Sequence, residues 1–340
     1  MLIFVALFGR KTQNFTANLT DDKHCGTIRR KKLPGVEVGM EMKTEIQKLK
    51  AEKNAVILAH YYAPDEIQEV ADYVGDSFYL AKVAKNSTAD IIVFCGVYFM
   101  GESAKVLNPG KKVLMPDLTA DCPMAHMVAR GKIQEMRERY ADLAVVCYIN
   151  STAELKAQSD ICVTSSNAVK IVKALPNKNI FFIPDKNLGS FVAQQVPEKN
   201  IIVNDGFCPI HAAISPEDVK TEKKKHPNAQ VLTHPECEAE ILELSDHIGS
   251  TAEIIAWARQ SLCKEFIICT ECGVSFQLTV DNPDKKFYFP QNRPCCTDMK
   301  CNTLEKLLHV LQTEENEITV SDALINASLA PLNAMLELAR

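Results

Sequence analysis

Three cysteines, Cys122, Cys208 and Cys296, stand 86 and 88 residues apart. Three polar residues, His60, Tyr148 and His234, stand 88 and 86 apart. Two sets of chemically capable residues with one period point to a sequence repeated three times, each copy carrying one member of each set. Thiolates from three repeats, gathered at a centre, can hold three irons of a [4Fe–4S] cluster, whose usual complement is four cysteines. The fourth iron would then lack a protein ligand and could bind substrate as a Lewis acid. The competing reading is packing: a free cysteine behaves as a small hydrophobe, and these three could be ordinary loop or core residues. The spacing alone leaves both open.

The elements that must position these residues follow the same period. The first repeat opens on residues 55–62 (AVILAHYY), the second on 143–150 (LAVVCYIN) and the third on 229–236 (AQVLTHPE). Each continues to a second apolar strand and a glycine, at Gly96, Gly189 and Gly273, and then to a third strand and its cysteine. Residues 65–74 and 77–86 of the first repeat carry helical apolar spacing. Strands alternating with helices predict a parallel sheet covered on both faces. The fold class is therefore α/β: three homologous α/β/α domains around a pseudo-threefold axis, with the active site at the centre. The predicted boundaries are 40–125, 126–211 and 212–300, with C-terminal helices over 301–340 wrapping the core. A period near 87 residues is far too long for a solenoid.

Ligands of parallel sheets bind beyond the carboxyl ends of the strands. His60, Tyr62, Tyr148, Asn150, His234 and Glu236 all follow the first strand of their repeat and so fall where ligand groups belong. Asp76-Ser77, Ser165-Ser166 and Ser250-Thr251 each precede a helical segment. Serine and threonine there are preferred N-caps. The same positions suit an anion, because a helix start offers free N–H groups and partial positive charge.

Composition narrows the class. A 46% apolar, 24% charged chain is an ordinary soluble globular sequence, and a net charge of −5 gives no reason to expect nucleic acid or an anionic membrane as partner. Thirteen cysteines without a clear export signal favour a reducing compartment and metal or catalytic use, so a cytoplasmic location is expected. Cys95, Cys147, Cys162, Cys263 and Cys269 read as buried strand residues. Residues 1–39 read as a disordered or non-native extension: the run at 2–8 (LIFVALF) is too short to span a bilayer and lacks the flanks of a signal peptide. A helix is expected to open at Met40 or Met42.

With these residues in place, the chain resembles a known family. AHYYAPDEIQEVAD, GDSFYLAK, GVYFMGESAKVLNP, MPDLTADCPMA, YINSTAELKA, VTSSNAV, PDKNLG, GFCPIH, HPEC, GST, TECGV and CTDMKCNTLEKL are similar, in order, to the motifs of quinolinate synthase, the iron–sulfur enzyme of NAD biosynthesis. The resemblance runs from about residue 55 to residue 331. It implies the three-domain fold, one [4Fe–4S] cluster on Cys122, Cys208 and Cys296, and condensation of iminoaspartate with dihydroxyacetone phosphate to quinolinate, phosphate and water. It implies a substrate pocket at His60, Tyr62, Ser77, Tyr148, Asn150, Ser165, His211, His234, Glu236, Ser250 and Thr251. It also implies functional coupling to an L-aspartate oxidase or dehydrogenase that makes iminoaspartate.

Cys296 rather than Cys295 matches the family pattern through its spacing to Met299 and Asn302. Cys95, Cys237 and Cys301 match positions where the family does not require cysteine. For the proton transfers, Tyr62, Glu236, His60 and His234 are the candidate acids and bases. Asn150, Ser165 and Ser77 suit the dicarboxylate, and Ser250-Thr251 the phosphate. A different iron–sulfur dehydratase, or a metal sensor, are the rival classes. A sensor leaves the histidine, tyrosine and glutamate ring unexplained.

Overall fold

The computed structural model describes residues 34–339. Its twelve strands form three four-stranded sheets, and every pairing between them is parallel. The first sheet holds β1 (Ala55–His60), β2 (Tyr73–Gly75), β3 (Ile91–Cys95) and β4 (Lys112–Leu114). The second holds β5 (Leu143–Tyr148), β6 (Ile161–Val163), β7 (Asn179–Ile183) and β8 (Asn200–Val203). The third holds β9 (Gln230–Thr233), β10 (His247–Ile248), β11 (Glu265–Cys269) and β12 (Lys286–Tyr288). All three share one strand order, with the second strand outermost, then the first, third and fourth. The α/β class and the threefold repeat are what the sequence predicts.

The central strands are apolar at nearly every position because both sheet faces are covered. Side chains alternate between faces. Val56 and Leu58 of β1 join a core shared with the second sheet, whereas Ile57 and Ala59 join a separate one with Ile46 and Leu307 from flanking helices. The first and second sheets thus share a core, while the third has its own two.

Each repeat has one strand more than the sequence suggests. Residues 65–74 do not form one helix: Asp65–Val70 is helical, Ala71 is extended, and β2 follows. The cause is a carboxylate bracket. Asp72 accepts from the Ile57 N–H at 2.9 Å while its own N–H donates to Ile57 O at 2.9 Å. Asp160 does the same with Val145, and Asp246 with Val231. The bracket pins the chain beside the first strand, so helix gives way to a short edge strand in all three repeats.

Four smaller expectations are corrected. Gly96, Gly189 and Gly273 are not equivalent: Gly96 directly follows β3, Gly189 lies inside the helix Lys186–Gln195, and Gly273 precedes the helix Val274–Asp281. Cys263 is half-buried before β11 rather than within it. Helix Asp322–Leu338 does not simply wrap the outside: it buries Ser328, Pro331, Leu332 and Met335 and packs on β6 and on the helices Tyr98–Leu107 and Ala153–Ala157, joining the first two repeats. The N-terminal helix runs Pro34–Glu52, six residues earlier than Met40. The 2–8 run, and the rest of the proposed extension up to residue 33, lie outside the described residues.

Candidate active site

The first strand of each repeat delivers one polar side chain to the centre. His60 ends β1, Tyr148 ends β5 and His234 directly follows β9. Two residues further on stand Tyr62, Asn150 and Glu236. These six line one cavity of about 250 Å³, together with Ser77, Ser165, His211, Thr251 and the cysteines Cys122, Cys208 and Cys296. Of the residues expected at the site, Ser250 alone is absent from the wall.

The exception has a local reason. Ser250 is fully buried, its hydroxyl accepts from the Glu253 N–H, and its own N–H donates to the Glu253 carboxylate at 2.7 Å. This capping box consumes the groups that an anion would need. The N-cap reading is right here and at Asp76, which accepts from the Tyr79 N–H. In the second repeat the N-cap position falls at Asn167, whose side chain caps no helix N–H and instead accepts from the Thr164 N–H. Each of the three helix-start pairs keeps one residue with a hydroxyl on the cavity wall: Ser77, Ser165 and Thr251, again 88 and 86 residues apart.

Glu236 is the electrostatic centre. Its carboxylate accepts from the Tyr148 hydroxyl at 2.5 Å and faces His211 Nδ1 at 2.8 Å. Burial pushes its pKa up, but His211, His234 and the two hydrogen bonds outweigh burial and hold the carboxyl well below the usual range. Burial, reinforced by the nearby Glu236 charge, raises Tyr62 and Tyr148 well above an ordinary tyrosine, and on Tyr62 it outweighs the hydrogen bonds from Thr251 and Thr270. It also lowers His60 and His234 to about 3, so both rings are neutral near pH 7.

Backbone geometry sets their tautomers. The Tyr62 N–H donates to His60 Nδ1 at 3.1 Å, and the Glu236 N–H donates to His234 Nδ1 at 3.2 Å. Each ring must then carry its proton on Nε2. His234 Nε2 lies 3.3 Å from Ser165 Oγ.

The three cysteines each follow the last strand of their sheet and precede a short helical turn. Each is partly exposed, and none is in a disulfide. Burial raises the Cys122 and Cys208 thiols and lifts Cys296 to about 11. Cys208, His211 and Glu236 also lie close enough together to hold a single ion. Cys295 is exposed and not part of the wall.

Sequence reasoning missed the groups that brace this ring. Thr270, just past β11, bonds both Tyr62 Oη at 2.8 Å and His211 Nε2 at 2.9 Å. Glu271, 1% exposed, accepts from the Cys296 N–H and from Gly273 N–H, and pairs with Lys300 at 3.1 Å. Lys300 in turn donates to Tyr62 O at 2.6 Å. Thr270 and Glu271 sit inside the TECGV segment, so the only available signal was the motif itself.

Comparison with known proteins places the chain in a family. The model of the quinolinate synthetase A protein family matches residues 44–337. The chain belongs to the quinolinate synthase family. The quinolinate synthase of Caldicellulosiruptor saccharolyticus is 52% identical over 298 residues, covering 88% of this chain and 98% of that protein. That of Fusobacterium nucleatum is 54% identical over 298 residues, covering 88% and 99%. That of Aquifex aeolicus is 47% identical over 304 residues, covering 88% and 94%. The chain is thus an enzyme of a family of NAD biosynthesis. Among the described residues, no helix is long and apolar enough to cross a membrane.

Proposed function

We propose that this enzyme condenses iminoaspartate with dihydroxyacetone phosphate, giving quinolinate, phosphate and water, beside a [4Fe–4S] cluster held by Cys122, Cys208 and Cys296. The observation that carries the proposal is one cysteine from each repeat on the wall of one cavity, shared with neutral donors and one carboxylate. The donor set fits the cluster. Each cysteine of a cubane binds a different iron, so the thiols stand around a space rather than meeting at a point. All three are unpaired and reach the cavity, and burial keeps them protonated until a cation draws the proton off. When bound, the cluster supplies an open iron able to polarise a hydroxyl or carbonyl for loss of water.

The chain's own residues supply the rest. His60 and His234 are neutral rings whose protons sit on Nε2, the pattern of donors to carboxylate or carbonyl oxygen rather than of strong acids. Asn150 lines the cavity with its Oδ1 buried and unpartnered, an acceptor left for a substrate N–H or O–H. Ser77 and Ser165 add hydroxyls on the same wall. Glu236 is held ionised and is the base for proton removal; Tyr62 and Tyr148 are held protonated and can return protons. For the phosphate, Thr251 replaces Ser250, whose groups are consumed by its capping box. We infer a cytoplasmic enzyme, supplied by an L-aspartate oxidase or dehydrogenase, since iminoaspartate is aspartate oxidised by two electrons.

The test is anaerobic incubation with dihydroxyacetone phosphate and enzymatically generated iminoaspartate, scored for quinolinate. The protein should carry about four irons per chain. Cys122→Ser, Cys208→Ser and Cys296→Ser should lose them, while Cys295→Ser should not. Iron-loaded protein that makes no quinolinate would refute the activity. Iron retained in Cys296→Ser but lost in Cys295→Ser would move the third ligand by one residue.

A further inference from the structure

We propose that Thr270 is a positioning residue for the proton-carrying side chains, joining Tyr62 and His211 into a single hydrogen-bonded chain that ends on Glu236. The proposal rests on the reading of this cavity as the site of condensation, and adds a residue to it.

Thr270 stands directly after β11 and is fully buried. The residue directly after the third strand of the first repeat is Gly96, and of the second Pro184. Neither has a hydroxyl, so the threefold pattern breaks here. The break falls where all three repeats meet. Tyr62 comes from the loop after β1, and His211 from the short helix Pro209–Ala212. The Thr270 hydroxyl bonds both, at 2.8 and 2.9 Å.

The hydrogen-bonded chain is continuous from one side of the cavity to the other. The Glu236 carboxylate accepts from the Tyr148 hydroxyl on Oε1, and His211 Nδ1 faces its Oε2 at 2.8 Å. His211 Nε2 faces the Thr270 hydroxyl, which also bonds Tyr62 Oη. Tyr62 Oη lies 2.6 Å from Thr251 Oγ1 as well. Thr251, Tyr62, Thr270, His211 and Glu236 are thus linked in one line. The middle position needs a group that accepts from one partner and donates to the other. A hydroxyl does so; valine has the same shape and does neither.

The experiment compares Thr270→Ser and Thr270→Val in the cluster-loaded enzyme. Serine keeps the bridge and should hold kcat within about 3-fold. Valine should lower kcat about 10–100-fold, the usual range for loss of a supporting hydrogen bond. KM for both substrates should move less than about 3-fold in either variant, with unchanged iron content. Valine in a Tyr62→Phe background should cost far less than valine alone, because the two changes break one chain. Full kcat in Thr270→Val would overturn the proposal. So would equal losses in the serine and valine variants, which mark a packing role, and so would loss of iron, which marks support of the metal centre. A wild-type enzyme that makes no quinolinate refutes the parent reading instead.

Discussion

The Tyr62 N–H reaches back to His60 Nδ1, and the Glu236 N–H to His234 Nδ1. A bond two residues long thereby fixes the proton on the far nitrogen of each ring, and burial keeps that ring neutral down to about pH 3. The sign of the pH effect follows. An unfolded histidine gains its proton near pH 6.5, while the folded one does not until about 3. The unfolded state therefore binds more protons between these values, and stability is lost as pH is lowered through that window. Each unit below 6.5 costs about 1.4 kcal/mol for one such ring. In His60→Gln this cost disappears. Urea unfolding at pH 7, 6 and 5 should show wild type losing stability relative to the variant, by about half that amount from pH 7 to 6 and about the full amount from pH 6 to 5. Parallel curves would mean that His60 is protonated in the folded protein. Glu236→Gln and Tyr62→Phe each remove a transferable proton or its acceptor while keeping the shape. Turnover should fall about 10²–10⁴-fold in each. Steady-state kinetics on protein with intact cluster decides it: raised KM with normal kcat would mark a binding role instead.

The loop that carries Cys296 is held by a second element, the turn after β11. Glu271 grips the Cys296 N–H at 3.0 Å and Lys300 at 3.1 Å, and Lys300 reaches Tyr62 of the first repeat. Gly273 is required where these groups crowd together. A Cβ there would lie 2.8 Å from Tyr62 Cα, backbone that cannot swing aside. Gly273→Ala should cost about 1–3 kcal/mol through overpacking. Glu271→Leu leaves the Cys296 and Gly273 N–H groups without an acceptor, a loss of about 1–3 kcal/mol. Both variants should bind less iron per chain after anaerobic reconstitution, though neither replaces a cysteine. Full iron content in Glu271→Leu would show that the cysteine loop holds its shape unaided.

Over the whole molecule, the N- and C-terminal helices close the first sheet. Helix Pro34–Glu52 packs on Leu304–Thr313, and the first fully buried side chain along it among the described residues is Ile46. Val38 and Met40 are exposed, and the family match begins at residue 44. A chain starting at Met40 should therefore keep its kcat and its unfolding midpoint. A drop in the midpoint of more than about 4 °C, the shift expected for roughly 1 kcal/mol in a domain of this order, would show that earlier residues belong to the fold.

The repeat was legible because it is written along the chain. A strand-end histidine or tyrosine, a helix-start serine and a loop cysteine each keep their place within a period near 87 residues, and local pattern suffices to find them. The aspartate brackets were legible in principle too, since Asp72, Asp160 and Asp246 share that period, yet a helical pattern across 65–74 masked the first of them. What tertiary structure alone decided was which of these groups meet. Tyr62 bonds Thr251 and Thr270 across 189 and 208 residues of chain, and Tyr148 bonds Glu236 across 88. Ser250 and Thr251 are neighbours of similar chemistry, but one is consumed by its helix cap and the other faces the cavity. No periodicity records such a choice. It depends on how three sheets, each fixed by its own local pattern, pack against one another and which side chains that packing leaves at the centre.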